Sequence, residues 1–259
     1  MERQLTVAPL GDEFFNSPIA HRGLHDCDGI FGSGRSENSF AAFEAAMDRG
    51  YGIEIDVQLS ADGVPVVFHD RSLKRLFKIN KLVSDLPLRT LKNLLLENNE
   101  KIPTFDEFLK LISGRVPVLV ELKDQSSFID NNTSGIEDSI ARSLKSYKGP
   151  IAVMSFNPHI VKCFGLRLPQ IPRGLVTEAF KKSDWPEIDD QKLERLRSLK
   201  EVLDTSASFI SHNHLDLRSK YIPELPSATR ILSWTIRDKR ELALALERSE
   251  NVTFEGFIP

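Results

Sequence analysis

The feature that most constrains this chain is an alternation of short apolar runs with amphipathic stretches, kept up nearly from end to end. The runs are Pro18–His21, Gly52–Val57, Val64–His69, Val116–Leu122, Ile151–Phe156, Arg173–Thr177, Ser208–His212 and Arg230–Ile236. Most are rich in Val and Ile, as strands buried on both faces of a parallel sheet are. Helical periodicity fills the gaps. Ser39–Arg49 sets Phe40, Phe43 and Met47 on one face behind Asn38 as a cap, and Thr104–Ile112 aligns Phe105, Phe108, Leu109 and Ile112 after Pro103. Ile136–Tyr147, Gln191–Leu203 and Asp238–Arg248 follow the same pattern. Eight strands with helices between most of them predict a (β/α)₈ TIM barrel, although an open doubly wound sheet alternates in the same way. The second unit is irregular and lacks a regular helix. Only Gln58–Gly63 joins its two strand candidates, where a parallel crossover needs about a dozen residues or more. Either that helix is missing or Ala61-Asp62-Gly63 turns a local hairpin.

Composition narrows the function. The 259 residues carry 34 Lys and Arg against 37 Asp and Glu, a net charge of −3, which argues against a nucleic-acid partner. Two cysteines, Cys27 and Cys163, are too few for a disulfide framework or a Cys-rich zinc site. No window reaches the length of an integral membrane segment, and Met1–Leu5 does not open like a secretory signal. With no linker, repeat or low-complexity tract in view, the expectation is one domain over 1–259, cytoplasmic, with reduced thiols.

Four clusters carry chemistry. Each lies at or just beyond a strand end, where the active sites of barrels and open α/β sheets form. His21-Arg22-Gly23 combines a proton-transfer group with an anion binder, and its glycine permits a tight exit from the strand. In Gly52-Ile53-Glu54-Ile55-Asp56-Val57 the two-residue period turns Glu54 and Asp56 to one side. Two carboxylates among such apolar neighbours are costly to bury without a cation, and oxygen ligands favour Ca²⁺, Mg²⁺ or Mn²⁺ over zinc. Val66-Val67-Phe68-His69-Asp70 adds a second histidine and so permits an acid–base pair. Val118-Leu119-Val120-Glu121-Leu122-Lys123 puts a third carboxylate and a cation on one face. Each cluster alone also reads as ordinary structure: a surface His-Arg pair, a solvated edge strand, a core histidine, a charged pair at a strand end. Four at successive strand ends fit a metal-bound, negatively charged phosphoester better.

Taken in order, the residues resemble the glycerophosphodiester phosphodiesterase family. The motifs are His21-Arg22-Gly23, Glu37-Asn38-Ser39, Glu54-Ile55-Asp56-Val57, Asp62-Gly63, Phe68-His69-Asp70, Ile102-Pro103-Thr104, Glu121-Leu122-Lys123, Ser155-Phe156 and Trp234-Thr235-Ile236. The resemblance implies a TIM barrel with one divalent cation, Mg²⁺ or Ca²⁺, held by Glu54, Asp56 and Glu121. It implies His21 and His69 as general acid and base, Arg22 and Lys123 on the phosphate, and Trp234 beside the glycerol. It also implies a small-molecule glycerophosphodiester substrate cleaved to glycerol 3-phosphate and an alcohol.

The chain departs from the family pattern in several places. Ser36-Glu37-Asn38-Ser39 replaces Pro-Glu-Asn-Thr, and the longer loop Leu24–Arg35, with His25, Asp26 and Asp28, is expected to fold over the cleft. The stretch after His69 lacks a bulky insertion, which predicts an open cleft able to admit larger diesters. Glu255-Gly256-Phe257-Ile258-Pro259 stands in place of Thr-Asp-x-Pro, leaving barrel closure there in question. Two other readings stay in play. One is a non-catalytic barrel that binds phosphodiesters or a partner protein. The other is a zinc amidohydrolase built on His212-Asn213-His214, less favoured because that motif falls near the seventh strand rather than the first.

Overall fold

The computed structural model describes residues 7–26, 34–126 and 128–259. In chain order the described strands are β1 (Ile19–Ala20), β2 (Gly52–Leu59), β3 (Pro65–Val67), β4 (Val118–Leu122), β5 (Ile151–Ser155), β6 (Arg173–Thr177), β7 (Phe209–Asn213), β8 (Arg230–Ile236) and β9 (Asn251–Phe254). All neighbours pair in parallel except β2 with β3, and β1 pairs with both β2 and β9. Eight parallel strands therefore close into the expected TIM barrel, which rules out the open sheet. The described helices are α1 (Phe40–Asp48), α2 (Lys74–Phe77), α3 (Leu88–Leu91), α4 (Phe105–Ile112), α5 (Ile136–Leu144), α6 (Pro158–Arg167), α7 (Asp190–Arg197), α8 (Glu201–Thr205) and α9 (Lys239–Leu246).

Two differences from the sequence reading have physical causes. Val64–His69 supplies no barrel strand. Its three paired residues run antiparallel to Val57–Leu59 around a turn in which the Gly63 amide donates to the Ser60 carbonyl at 2.9 Å. This is the local hairpin, so no helix separates β2 from β3, and the chain returns to the barrel through the short α2 and α3 and then α4. The eighth barrel strand is β9, whose Asn251 and Thr253 break up any apolar run. Both are buried, and Asn251 Nδ2 donates to the carbonyls of Phe14 (2.7 Å) and Ser17 (2.8 Å). Closure at Ile19–Thr253 and Ala20–Phe254 thus proceeds without the Thr-Asp-x-Pro motif.

Side-chain alternation divides the core in two. Ile53, Ile55 and Val57 of β2 and Val118, Val120 and Leu122 of β4 pack outward with Phe43, Phe108, Ile140 and Phe164 of the helices. Leu119, Ala152, Met154, Val176, Phe209 and Leu232 form a separate cluster with Leu10 and Phe14, which close the barrel at the starts of the strands. Gly174 is required there, because a Cβ would lie 2.4 Å from the Phe209 ring. At the opposite ends, Glu54 and Asp56 take the inward positions of β2, with Asp56 in register with Glu121 of β4.

Candidate active site

The site is assembled where β1, β2, β4 and β9 end. After β1 the His21 amide donates to the Phe254 carbonyl (2.9 Å), and Arg22 adopts a left-handed φ of 55° that carries the chain into Gly23. Gly23 is needed for two reasons: its φ is +78°, and a Cβ would approach the Ala42 backbone to 2.9 Å. The turn lets the Arg22 amide donate to Glu54 Oε2 at 3.1 Å, while the guanidinium reaches Glu37 (3.1 Å) and Asp56 (3.4 Å). Asn38, expected to cap α1, turns its Nδ2 to Asp56 Oδ2 at 3.1 Å instead, and the helix is capped by Ser39.

Glu54, Asp56 and Glu121 are all buried, with one oxygen from each within 4.8 Å of the others, so this acidic cluster could hold a metal ion. Lys123 lies across it, 2.8 Å from Glu121 and 3.3 Å from Asp56. The electrostatics are uneven. Burial and the neighbouring Asp56 and Glu121 charges drive the Glu54 pKa well above the usual carboxylate range. Asp56 goes the other way: burial opposes its charge, but His69, Lys123 and Arg22 outweigh it. A cation would relieve the crowding at Glu54, so the oxygen-only donor set and its unbalanced charge fit a hard divalent ion.

Each candidate acid–base histidine has its Nδ1 on a carboxylate. His21 Nδ1 lies 2.5 Å from Glu255 Oε2, with Nε2 3.9 Å from Glu54, and His69 Nδ1 lies 2.7 Å from Asp70 Oδ1. Burial and Arg22 lower the His21 pKa to about 4, against the pull of Glu255. Arg75, on α2, ties the two halves together: its guanidinium bridges Asp70 (2.6 Å) and Glu37 (2.6 Å), and Glu37 meets Arg22.

A cavity of about 290 Å³ is lined by His21, Arg22, Glu54, His69, Glu121, Lys123 and Trp234, so these sequence-predicted residues face one space, with Asp56 behind them. Trp234 Nε1 donates to the Ser211 carbonyl at 2.8 Å, and its ring meets Phe156 at 5.8 Å. Arg237 also lines the cavity and holds Glu255 at 2.7 Å. Glu255, Arg75 and Arg237 were not picked out from sequence. The only signal for Glu255 was its place in the departure from Thr-Asp-x-Pro.

His212 and His214 join no metal-ligating group among the described residues. His212 is buried against the Thr177 hydroxyl (2.8 Å), and His214 faces Glu241 at 4.0 Å. The amidohydrolase reading therefore has no site here. Of the loop Leu24–Arg35, residues 27–33 lie outside the described residues. Its ends are joined by the Asp26 amide to the Arg35 carbonyl (2.8 Å) and Arg35 Nε to the Leu24 carbonyl (2.8 Å).

Residues 21–249 match the model of the glycerophosphoryl diester phosphodiesterase family. A glycerophosphodiester phosphodiesterase from Caldanaerobacter subterraneus is 32% identical over 177 residues, 64% of this chain and 69% of that protein. YhdW of Bacillus subtilis, provisionally named for the same activity, is 27% identical over 237 residues, 87% of this chain and 88% of that protein. Among solved structures, an Oleispira antarctica phosphodiesterase in complex with the product sn-glycerol-3-phosphate superposes with a TM-score of 0.69, at 26% identity over 93% of this chain and 92% of that one. A Parabacteroides distasonis glycerophosphodiester phosphodiesterase superposes with a TM-score of 0.70 over 92% of each chain, and at 22% identity it supports the fold. With the barrel and the ordered motifs in place, this match over most of the sequence shows that the chain belongs to the glycerophosphoryl diester phosphodiesterase family and is an enzyme of that class.

Proposed function

We propose that the protein hydrolyses glycerophosphodiesters to glycerol 3-phosphate and an alcohol, using His21 and His69 as an acid–base pair beside one divalent cation, Mg²⁺ or Ca²⁺, held by Glu54, Asp56 and Glu121. The observation that carries this reading is the shared cavity, in which two histidines, each oriented by a carboxylate, face Glu54 and Glu121, with Asp56 clustered behind these two. The bound cation would supply charge withdrawal from the phosphoryl oxygens. Arg22 and Lys123 bind the phosphate, and Trp234 packs beside the glycerol. His21, held uncharged at neutral pH by burial and Arg22, takes the proton of the attacking hydroxyl at Nε2. His69, hydrogen-bonded to Asp70, gives a proton to the leaving alkoxide from its own Nε2. Glu255 and Asp70 act as positioning residues, each accepting from Nδ1 and so turning Nε2 of its histidine to the transfer.

This reading takes residues 1–259 as one domain, which the pairing of the first and last barrel strands supports. It places the protein in the cytoplasm. No helix of the described residues is long and apolar enough to cross a membrane. The test is release of glycerol 3-phosphate from glycerophosphocholine with Mg²⁺, Ca²⁺ or EDTA, comparing wild type with His21→Ala. Metal-dependent release that the substitution abolishes is expected. Release unaffected by EDTA would overturn the cation, and no release from any glycerophosphodiester would favour the binding barrel.

A further inference from the structure

We infer that His21, His25 and Glu255 form a binding site for Zn²⁺, separate from the carboxylate cluster, and that filling it switches the enzyme off. Zinc binding there follows from the geometry, and its inhibitory effect rests on the phosphodiesterase reading. Among the described residues, two groups bring three metal-ligating atoms within 4.8 Å of one another: Glu54, Asp56 and Glu121, and His21, His25 and Glu255. In the second group the atoms converge on Glu255 Oε2, which lies 2.5 Å from His21 Nδ1 and 3.6 Å from His25 Nε2. The other Glu255 oxygen is held by Arg237 at 2.7 Å, which keeps Oε2 turned to the two imidazoles.

The fold holds these three groups together. Ala20 of β1 pairs with Phe254 of β9, so the next residues along the two parallel strands, His21 and Glu255, leave the barrel side by side. The His21 amide donates to the Phe254 carbonyl and the Glu255 amide to the Ile236 carbonyl, both at 2.9 Å. His25 is buried in the turn that follows, and its neighbours are fastened on either side. The Leu24 amide donates to the Ala42 carbonyl (2.9 Å) and the Asp26 amide to the Arg35 carbonyl (2.8 Å). Three ligands positioned in this way lose little freedom when an ion binds. His25 has no part in the acid–base chemistry, yet it is brought to the same carboxylate oxygen as His21.

Donor chemistry separates the two sites. Three carboxylates suit a hard ion such as Mg²⁺ or Ca²⁺. Two imidazoles and one carboxylate form the ligand set of zinc sites that keep a fourth position for water, and imidazole favours zinc over the hard ions. The consequence for His21 follows from which nitrogen the ion takes. Nδ1 is the atom that faces Glu255, and a neutral imidazole that ligates through Nδ1 carries its proton on Nε2. Zinc binding therefore shifts the proton from Nδ1 to Nε2 of the same ring, with none released. Nε2 is then a donor and can no longer take the proton of the attacking hydroxyl. His21 Nε2 lies 3.9 Å from Glu54 Oε2, so the two metal sites adjoin without sharing a ligand.

The experiment titrates the full chain with Zn²⁺ in saturating Mg²⁺, in the wild type, His25→Gln and Glu121→Gln. Bound zinc is followed by competition with a chromogenic chelator, and activity by hydrolysis of glycerophosphocholine. Co²⁺ serves as a spectroscopic substitute, because a four-coordinate Co²⁺ site absorbs strongly in the visible and a six-coordinate oxygen site weakly. In the wild type, zinc is expected to bind, to lower kcat with little change in KM, and to keep its effect when Mg²⁺ is raised. His25→Gln should retain near wild-type activity without zinc. Its zinc affinity should fall about 100-fold, since loss even of a group that only orients a ligand costs about 10- to 100-fold. The strong cobalt bands should appear in the wild type and in Glu121→Gln and be lost in His25→Gln. Equal zinc affinity in wild type and His25→Gln, or cobalt bands that vanish in Glu121→Gln instead, would overturn the site. Inhibition that Mg²⁺ relieves would place zinc on the carboxylates, and zinc bound without loss of kcat would overturn the switch. If no glycerophosphodiester is cleaved, the phosphodiesterase reading fails, while chelator competition and the cobalt bands still decide the site.

Discussion

At the residue scale the site is a set of charges, each settled by one or two neighbours. His21 and Glu255 show how much depends on a single pair. The Glu255 carboxylate 2.5 Å from Nδ1 raises the His21 pKa, while burial and Arg22 lower it further than Glu255 can restore. Removing that charge with Glu255→Gln therefore lowers the His21 pKa again. The acid limb of the pH–rate profile should move to lower pH, and kcat should fall about tenfold with little change in KM, as expected of a positioning residue. A limb that stays in place or moves up would show that Glu255 does not act through His21. His21→Ala should cost more, about 100- to 10,000-fold in kcat. The cluster on β2 was legible because a period of two on an apolar strand puts Glu54 and Asp56 on one face whatever the rest of the chain does. Glu255 was not legible, since its partner lies 234 positions away and it follows a strand without an apolar run. Arg75 went unseen for a related reason: it meets Asp70 locally but Glu37 only through the fold.

At the scale of elements, alternation predicted the barrel and most of its strands. The two that escaped it are the ones in which another force decides the structure. Val64–His69 is apolar enough for a barrel strand, yet the short connection Ser60–Val64 turns it back as a hairpin against the end of β2, which carries His69 toward the site. β9 is a strand because its backbone pairs on both sides, with β1 and β8, and because the buried Asn251 amide finds partners in the carbonyls of Phe14 and Ser17. Register inside the barrel sets a further constraint that no local pattern reveals. Gly174 on β6 lies beside Phe209 on β7, its register partner, and a methyl group there would meet the ring at 2.4 Å. Gly174→Ala should destabilise the protein by about 1–3 kcal/mol, read from the urea midpoint. Phe209→Leu, destabilising by itself, should cost less in that background, giving a favourable coupling in the double-mutant cycle. Additive losses would mean that the ring is not the obstacle.

At the scale of the whole molecule, the buried carboxylates tie stability to both pH and metal. Burial raises the pKa of Glu37, Asp70 and Glu255, but Arg75 and Arg22, His69 and Arg75, and His21 with His25 respectively outweigh it, so all three lie below their ordinary values. Their contribution to stability is present above the unfolded carboxylate range and is lost as pH falls through the folded values. Glu54 has the opposite sign. Its folded pKa lies above the ordinary value through burial, Asp56 and Glu121, so stability declines as pH rises from the ordinary carboxylate range through the folded value. Without a cation the protein should therefore lose stability on the acid side through the first group and on the neutral side through Glu54. A divalent ion on Glu54, Asp56 and Glu121 would remove the second loss. Saturation at about 100 times Kd is worth about 2.7 kcal/mol, a rise in Tm of several degrees. Because the ion binds the deprotonated carboxylates, the rise should be larger at pH 7.5 than at pH 5. Glu54→Gln separates the two effects, since it removes the crowded charge together with one ligand. In EDTA this variant should melt higher than the wild type at pH 7.5, and it should respond weakly to Mg²⁺ or Ca²⁺. A variant that melts lower in EDTA, or that keeps the full response to the ion, would show that the three carboxylates are balanced by Lys123 and Arg22 alone and do not form the metal site.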